Sequence, residues 1–183
     1  MLEKQIAYYC GPSLAGIKPS NIASLNKQKY GDIHKEIEKL NRQLNVRNIY
    51  INILCECEKR VLVMVYRKDV LEKHLNNVKI RRFLSDYGYP ENCSADDHIR
   101  LLKKRLSFEE FPHEIGVFLG YPLNDIKAFI NHPNSGCLLV GEWKVYDDAE
   151  NAKKLFCRYN NCRCGIIKRL KKGQSLERIF CAG

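Results

Sequence analysis

Two β-branched segments that lie close together in the chain constrain its fold more than any other feature. Ile49, Ile51 and Ile53 alternate with polar or aromatic residues, which predicts a strand with one buried face. A second apolar, largely β-branched run covers residues 61–66. The segment between them, residues 55–59, is short and polar, so we expect the two strands to form a hairpin.

Helical spacing of apolar residues dominates much of the remaining chain. Ile33, Ile37, Leu40 and Leu44 follow the period of an amphipathic helix over residues 30–44. Further helices are predicted at residues 2–9, ending at the breakers Gly11 and Pro12, at 68–76, at 77–87, after the capping residue Ser94, from Pro112 to Gly120, after Pro122, and from 147 to about 159. Residues 10–28 are expected to form an irregular loop, residues 136–146 one long strand or a tight pair, and residues 162–170 a strand.

These elements predict a single α+β domain over residues 1–183. We expect a small sheet of four or five strands, in which the late strands join the early hairpin. Helices are expected mostly on one face of the sheet, with a helix-rich middle at residues 67–131. A chain of 183 residues is long enough to bury a real core.

Composition narrows the class of protein. The hydrophobic fraction of 45% and the charged fraction of 28% are typical of ordinary globular chains. No apolar run approaches the roughly 18 residues of a membrane span, and residues 1–10 lack a signal-peptide core. We therefore expect a cytoplasmic protein that does not enter a membrane. Nine cysteines at scattered spacings indicate free thiols rather than a disulfide framework.

Positive charge is concentrated at the end of the chain. Residues 151–183 contain nine Lys or Arg residues and only one acidic residue, Glu177. Such a region can attract nucleic acid, acidic proteins or small anionic ligands, or it can be a solubilising surface. Phe156, Tyr159 and Phe180 are the only aromatic residues in this region, and their spacing suits a buried stripe. Any nucleic-acid binding is therefore expected to be weak, independent of base sequence and lost near physiological salt.

The segment from Phe111 to Pro122 contains the most specific candidate site. Pro112 is suited to the first position of a helix, which would place His113 and Glu114 in its first turn. The positive end of the helix would favour a neutral imidazole, the form needed by a general base or a metal ligand. In the alternative reading, Glu114 only complements the helix dipole and His113 is a half-buried side chain.

Three segments resemble a known family of bacterial proteins. They are Cys10–Pro19, Phe111–Pro122 and Trp143–Tyr146, the last followed by a basic helix. Together they are similar to domain-of-unknown-function family 3793, DUF3793, which is found mostly in anaerobic Gram-positive bacteria. The resemblance implies a cytoplasmic bacterial origin and a single-domain layout, but it does not identify a reaction, and the cofactor stays unknown. It places Cys10, Lys18, His113, Glu114 and Trp143 in the shared pattern.

The leading functional hypothesis is a small enzyme that uses Cys10 and His113. Cys10 would act as a nucleophile or redox thiol and His113 as its base, with Glu114 and Lys18 as polar anchors. Cys10 should then be the most reactive thiol, because we expect it in an exposed loop beside Lys18. Lys18, Trp143 and Lys144 are the candidate ligand-binding residues. In a structural alternative, Glu114 pairs with Lys18 only to fasten the N-terminal loop.

Two rival hypotheses remain open. The first is an iron- or zinc-associated protein in which His113 and Glu114 bind the metal and Cys10 is a third ligand. The second is a nonenzymatic binding module that works through the basic C-terminal region. A thiolate metal site is also possible if Cys162 and Cys164 share one face of a strand. That site would add Cys157 or Cys181.

Several common catalytic motifs are absent from the sequence. The segment from Gly11 to Pro19 fails as a phosphate-binding loop, because Ile17 separates Gly16 from Lys18 and no predicted strand precedes the loop. His113 has no second histidine at position 117, so the zinc-protease pattern is missing. The Gly-x-Ser-x-Gly pattern of serine hydrolases is also missing.

Overall fold

The computed structural model describes residues 2–108 and 111–181. Its strands are β1 Ser20–Asn26, β2 Ile49–Glu56, β3 Arg60–Arg67, β4 Leu139–Val140 and β5 Lys144–Val145. Its helices are α1 Leu2–Leu14, α2 Ile33–Leu44, α3 Lys68–Leu75, α4 Val78–Ser85, α5 Ala95–Arg105, α6 Ile115–Phe118, α7 Leu123–Asn131, α8 Ala149–Lys171 and α9 Leu176–Phe180. The α+β class is confirmed. Among the described helices, none has both the length and the apolar character needed to cross a membrane.

A three-stranded antiparallel sheet with the order β1-β3-β2 forms the centre of the fold. The predicted β2–β3 hairpin is confirmed. β1 lies where an irregular loop was expected over residues 10–28, and that prediction was wrong. The polar residues of β1 do not follow the apolar alternation that predicts a strand. In the structure they form hydrogen bonds with distant residues. Ser20 Oγ donates to the Phe118 carbonyl at 2.7 Å, and Asn21 Oδ1 accepts from the Ser13 N–H at 3.1 Å.

Helices cover both faces of this sheet, not mostly one. Val61, Val63 and Val65 of β3 belong to a core shared with α1, α2, α8 and α9. Met64 and Tyr66 point to the opposite face and belong to a second core with helices α3 to α7. Successive strand residues point to opposite faces, so an uninterrupted apolar run such as residues 61–66 must be buried on both.

The late part of the chain does not extend the central sheet. Residues 136–146 contain a tight pair, β4 and β5, which form a separate two-stranded sheet. The predicted sheet of four or five strands was therefore wrong. The strand predicted over residues 162–170 was also wrong, because α8 continues through it. Tyr159, Ile166 and Leu170 are the buried residues of this part of α8, and they follow helical spacing.

Helix α1 runs two residues beyond the predicted breaker pair. Pro12 removes only its own N–H from the helix, and the Ser13 N–H is bonded to Asn21 instead. The helix then ends in the left-handed turn at Gly16, with φ of +73°. Ile17 N–H donates to the Pro12 carbonyl and Gly16 N–H to the Ser13 carbonyl, both at 3.0 Å, the pattern of a Schellman cap.

Candidate functional site

Two adjoining cavities contain most of the residues that the sequence marks as functional. We call the larger one, of about 580 Å³, the lysine cavity. It is lined by Tyr8, Tyr9, Lys18, Asn21, Ile22, Leu119, Tyr121, Glu142, Asn160, Arg163, Cys164, Ile167, Lys168 and Lys171. The tryptophan cavity, of about 340 Å³, is lined by Ile22, Phe111, His113, Ile115, Gly116, Leu119, Tyr121, Asp125, Ile126, Phe129, Trp143 and Lys144. The two share a wall formed by Ile22, Leu119 and Tyr121.

Lys18 is positioned by a glycine turn that precedes it and a tight contact that follows it. The Gly16 turn brings the chain out of α1, and Pro19 then packs against Gly120. Gly120 has φ of +70°, and a Cβ there would lie 2.6 Å from Pro19 Cδ, so only glycine allows this contact. The contact brings the segment that contains Tyr121 over Lys18. As a result, only 2% of Lys18 is exposed although it lines a cavity.

Glu142 and Arg163 complete the polar end of the lysine cavity. Glu142 lies in the turn between β4 and β5, which rests on α8 at Phe156. Arg163 lies on α8 where that helix passes Gly11 of α1, and a Cβ on Gly11 would be 3.1 Å from Arg163 Cγ. The close packing of α1 against α8 at Gly11 therefore fixes the position of the Arg163 backbone and of the first atoms of its side chain.

One carboxylate serves two cations in this group. Arg163 Nη1 and Nη2 donate to Glu142 Oε1 and Oε2, each at 2.7 Å. Lys18 Nζ lies farther away, 3.6 Å from Glu142 Oε2. The three side chains, all mostly buried, therefore carry one unbalanced positive charge. Lys168 and Lys171 on the same cavity wall increase the positive potential.

Burial and neighbouring charges shift the ionisation of this group. Burial lowers the pKa of Lys18 to about 8, and Arg163 also lowers it, while the Glu142 charge and the Cys10 thiolate would oppose the fall. Burial opposes ionisation of Glu142, but its hydrogen bond to Arg163 and the two positive charges hold the pKa of that carboxyl below its usual value. Glu142 is therefore ionised at neutral pH, and Lys18 titrates close to that range.

Aromatic rings surround the Lys18 ammonium. Its Nζ lies 5.1 Å from the centroid of the Tyr121 ring and 5.5 Å from that of the Tyr159 ring. The Tyr121 hydroxyl donates to the Glu142 carbonyl at 2.9 Å, which fixes the ring against the turn. Because ring faces attract cations but do not remove a proton, the two tyrosines stabilise the charged amine without neutralising it.

The tryptophan cavity brings together three predicted site residues: His113, Trp143 and Lys144. Trp143 Nε1 donates to Asp125 Oδ2 at 2.7 Å, and its ring packs on Tyr121 with a centroid distance of 5.0 Å. His113 is exposed and meets the Phe129 ring edge-on at 5.2 Å. Lys144 Nζ donates to the Pro133 carbonyl at 2.7 Å. The cavity is thus largely apolar, with the imidazole and the ammonium near its edge.

The helix predicted to start at Pro112 begins later. Residues 113 and 114 form a turn, and α6 starts at Ile115. His113 therefore precedes α6 and does not lie in its first turn. Glu114 is buried and bonds to Arg105 and to the Tyr89 hydroxyl, whereas Lys18 pairs with Glu142. The alternative in which Glu114 pairs with Lys18 was therefore wrong.

Cys10 lies inside α1, not in an exposed loop. It is fully buried in the core shared by α1, α2 and α8, and it lines neither cavity. Burial raises the pKa of the Cys10 thiol to about 12, although Lys18 and Arg163 oppose the rise. The thiol is therefore protonated at neutral pH. In residues 2–108 and 111–181, no contact between Cys10 and His113 supports the predicted dyad, which stays a prediction.

The proposed metal sites have little geometric support. Across the described ranges, no group of three or more His, Cys, Asp or Glu side chains is arranged to hold a metal ion. Cys162 and Cys164 lie on helix α8, where residues two apart point about 200° apart and do not share a face. The carboxylate of Glu114 is engaged by Arg105.

Sequence reasoning missed Glu142, Arg163 and Tyr121, because their roles depend on contacts between distant segments. The available signal was weak: Glu142 directly precedes Trp143, and Arg163 lies in a stretch without acidic residues. Tyr8 and Tyr9 were also missed as cavity residues, because residues 162–170, which line the cavity with them, were expected to form a strand and not part of α8.

The fold and the site define an α+β protein with a cationic, half-enclosed cavity beside an apolar one. The family model described as "Protein of unknown function (DUF3793)" matches residues 6–180, and the chain belongs to that family. The resemblance inferred from the three sequence segments is thereby confirmed. No curated protein and no solved structure matches the chain.

Proposed function

We propose that this protein binds a small organic anion, with the anionic group in the lysine cavity. The observation that carries the proposal is the charge imbalance of Lys18, Glu142 and Arg163. Two cations share one carboxylate, and Lys168 and Lys171 line the same cavity. An incoming carboxylate, phosphate or sulfonate would balance the remaining charge, and burial strengthens that interaction compared with a fully exposed lysine.

The apolar walls indicate what the rest of the ligand is like. Ile22, Leu119 and Tyr121 form the wall shared with the tryptophan cavity, and the exposed Tyr8 and Tyr9 also line the lysine cavity. These surfaces favour an aromatic or aliphatic group attached to the anion. A ligand that extends past Tyr121 would contact Trp143, His113 and Lys144, the remaining candidate ligand-binding residues.

Binding of anilinonaphthalene sulfonate, an aromatic anion, tests this proposal by fluorescence titration. Arg163→Gln leaves a neutral Lys18–Glu142 pair, so we expect the affinity to fall at least about fivefold, or ~1 kcal/mol. Arg158→Gln is the matched control, because it removes the same charge from an exposed position on α8 that lines neither cavity. The uncharged analogue phenylnaphthylamine should not distinguish the two variants. Equal losses in both variants would contradict a specific anion site.

The site that we propose is centred on Lys18 and not on Cys10. The Cys10–His113 enzyme hypothesis requires an accessible thiolate, whereas the Cys10 thiol is buried and protonated at neutral pH. The hypothesis of an iron or zinc site at His113 and Glu114 lacks a third ligand among the described residues. Lys18 lines the larger of the two cavities, whereas Cys10 and Glu114 line neither.

A second candidate function is favoured by the surface of α8. Between Glu150 and Glu177 the sequence has eight Lys or Arg residues and no acidic residue, and α8 covers most of them as one continuous helix. Tyr8 and Tyr9 are 60% and 42% exposed and line a cavity with Lys168 and Lys171. Exposed aromatic rings beside cations are typical of single-stranded nucleic-acid binding.

A gel-shift titration with a single-stranded oligonucleotide tests this second function. The double variant Lys168→Gln/Lys171→Gln should bind more weakly than Lys39→Gln/Lys104→Gln, which loses the same charge at exposed positions on α2 and α5. We expect weak complexes that dissociate near physiological salt. Tight complexes that survive such salt would place nucleic-acid binding ahead of small-anion binding.

A further inference from the structure

We propose that Lys18 is a nucleophilic amine that condenses with an aldehyde or ketone group of the bound anion to form an imine. This inference rests on the proposed anion site and adds the chemical class of the ligand, an anionic carbonyl compound. It follows from the position of the Lys18 amine in the wall of the cavity and from how the nearest carboxylate is shared.

The geometry allows Lys18 to lose its proton without disrupting the ion pair beside it. Glu142 makes two short contacts with Arg163, at 2.7 Å, but its contact with Lys18 is 3.6 Å. If Lys18 becomes neutral, Glu142 keeps a full counter-charge in Arg163. A buried lysine that was the sole partner of a carboxylate would be held in its charged form, because deprotonation would leave that carboxylate unpaired.

Burial provides the second requirement, a usable fraction of free amine. With a pKa of about 8, about one Lys18 side chain in ten is neutral at pH 7. For an exposed lysine with a pKa of about 10.4, the fraction is about one in 2,500. The groups that face Lys18 are Glu142, Arg163, Tyr121, Tyr159 and Cys10. Of these groups, Arg163 favours the neutral form of the Lys18 amine, and burial of the amine acts in the same direction.

The reaction is a condensation and needs no oxidant or reductant. The lone pair of Lys18 Nζ forms a bond to the carbonyl carbon, and the carbonyl π electrons move to oxygen. A proton passes from nitrogen to that oxygen to give a carbinolamine, and loss of water then gives the imine. Glu142 is the carboxylate beside Nζ and can relay the proton. Arg163, Lys168 and Lys171 would hold the anionic group meanwhile.

Reductive trapping tests the proposal on the full-length protein. The probe is para-carboxybenzaldehyde with sodium cyanoborohydride at pH about 7.5, followed by peptide mapping. We expect Lys18 to be alkylated at least about 10-fold faster than the exposed lysines, because its amine is far less protonated. An excess of para-(hydroxymethyl)benzoate, which has the anion but no carbonyl, should protect Lys18. Benzaldehyde, which has no anionic group, should label Lys18 much more slowly.

Two variants complete the test. Lys18→Arg keeps a cation but removes the nucleophile, so the fast-labelled peptide should disappear. Lys154→Arg, at an exposed position on α8 outside both cavities, should leave Lys18 labelling unchanged. Peptide mapping of the labelled protein without substitutions tests the proposal even if the Lys18→Arg variant does not fold. Labelling of Lys18 at the rate of exposed lysines would overturn the proposal.

The outcome also separates this inference from the proposed function. If para-(hydroxymethyl)benzoate displaces anilinonaphthalene sulfonate but Lys18 is not alkylated, the imine chemistry is wrong and the anion site stands. If the benzoate does not displace the dye and the aldehyde does not label Lys18, both the anion site and the imine chemistry are wrong.

Discussion

Arg163 and Glu142 form a two-pronged ion pair, with both nitrogen–oxygen distances at 2.7 Å. The pair joins α8 to the turn between β4 and β5, and Lys18 Nζ lies farther from the same carboxylate, at 3.6 Å. The pair thereby leaves the Lys18 ammonium with only a partial counter-charge inside a cavity. Bidentate arginine–carboxylate pairs are among the stronger hydrogen-bonded contacts in proteins, so this arrangement should persist when a ligand enters.

Anion affinity should depend on the protonation of Lys18. Burial lowers the pKa of Lys18 to about 8, so the ammonium that attracts the anion is lost as the pH rises through that value. A bound anion favours the charged form and moves the transition in the complex to higher pH. Titrations with anilinonaphthalene sulfonate between pH about 6.5 and 9.5 should therefore show constant affinity at the acidic end and falling affinity above about 8.

The matched variant for this pH profile is Lys18→Arg. Arginine stays protonated over the whole range, so the fall in affinity should disappear. Burial raises the pKa values of Tyr121 and Cys10 to about 12, so these groups titrate outside the window. A fall that persists in the variant would show that another group controls binding.

Glu114→Gln should destabilise the fold without weakening anion binding. The buried carboxylate bonds to Arg105 and to the Tyr89 hydroxyl and lines neither cavity. We expect the free energy of unfolding in urea to fall by about 1–3 kcal/mol, because a buried charge-assisted contact is lost. Glu91→Gln, at an exposed loop position, is the control and should change little. Lost binding at unchanged stability would instead support the site role predicted from the sequence.

Cysteine labelling should also depart from the sequence-based expectation. Hydrogen bonds from the backbone N–H groups of Lys59 and Arg60 hold the pKa of the exposed Cys57 thiol below its usual value. Cys10 is fully buried, and its pKa is raised. Iodoacetamide near neutral pH should therefore modify Cys57 at least about 10-fold faster than Cys10. Preferential modification of Cys10 in peptide maps would restore the thiol hypothesis.

Gly141 is required for the turn that carries Glu142. A Cβ there would lie 2.2 Å from Phe156 Cε2, and the Phe156 ring packs edge-to-face on Trp143 at 4.6 Å. Gly141→Ala should lower the free energy of unfolding by about 1–3 kcal/mol and change the emission of Trp143, the single tryptophan of the chain.

The control for this variant is Gly165→Ala on α8. Among the described residues, a Cβ at Gly165 would meet no atom within 4 Å apart from its two chain neighbours and the backbone of its own helix, so this substitution should raise stability by up to about 1 kcal/mol through helix propensity. It should leave the Trp143 emission unchanged. Equal effects of the two substitutions would contradict the tight packing of the turn against Phe156.

Local sequence patterns predicted the helices and strands whose buried faces consist of apolar residues. The β2–β3 hairpin was predictable because the run at residues 61–66 is apolar on both faces, and α2 because its apolar residues form one stripe. Strand β1 could not be predicted in this way, because Ser20 and Asn21 are hydrogen-bonded to Phe118 and Ser13, and a local sequence pattern does not reveal such partners. At residues 162–166, Cys162, Cys164 and Ile166 alternate with Arg163 and Gly165 as in a strand, but the residues that α8 buries there are Tyr159, Ile166 and Leu170, at helical spacing.

The candidate site could be predicted only in part. Lys18, His113, Trp143 and Lys144 were singled out from the sequence, and each lines one of the two cavities. Cys10 and Glu114 line neither, because an extended α1 buries the first and Arg105 engages the second. The partner of Lys18 is Glu142, and long-range ion pairs of this kind depend on how α1, α8 and the β4–β5 turn pack together.

A crystal structure of the protein with para-(hydroxymethyl)benzoate would test the central claim most directly. We predict that the carboxylate of the probe lies within hydrogen-bonding distance of Lys18 Nζ or Arg163, with its ring against Tyr121 and Leu119. The two-pronged contact between Arg163 and Glu142 should remain in the complex. A probe bound only outside the lysine cavity, or a cavity that stays empty at saturating probe, would contradict the claim that this cavity is an anion-binding site.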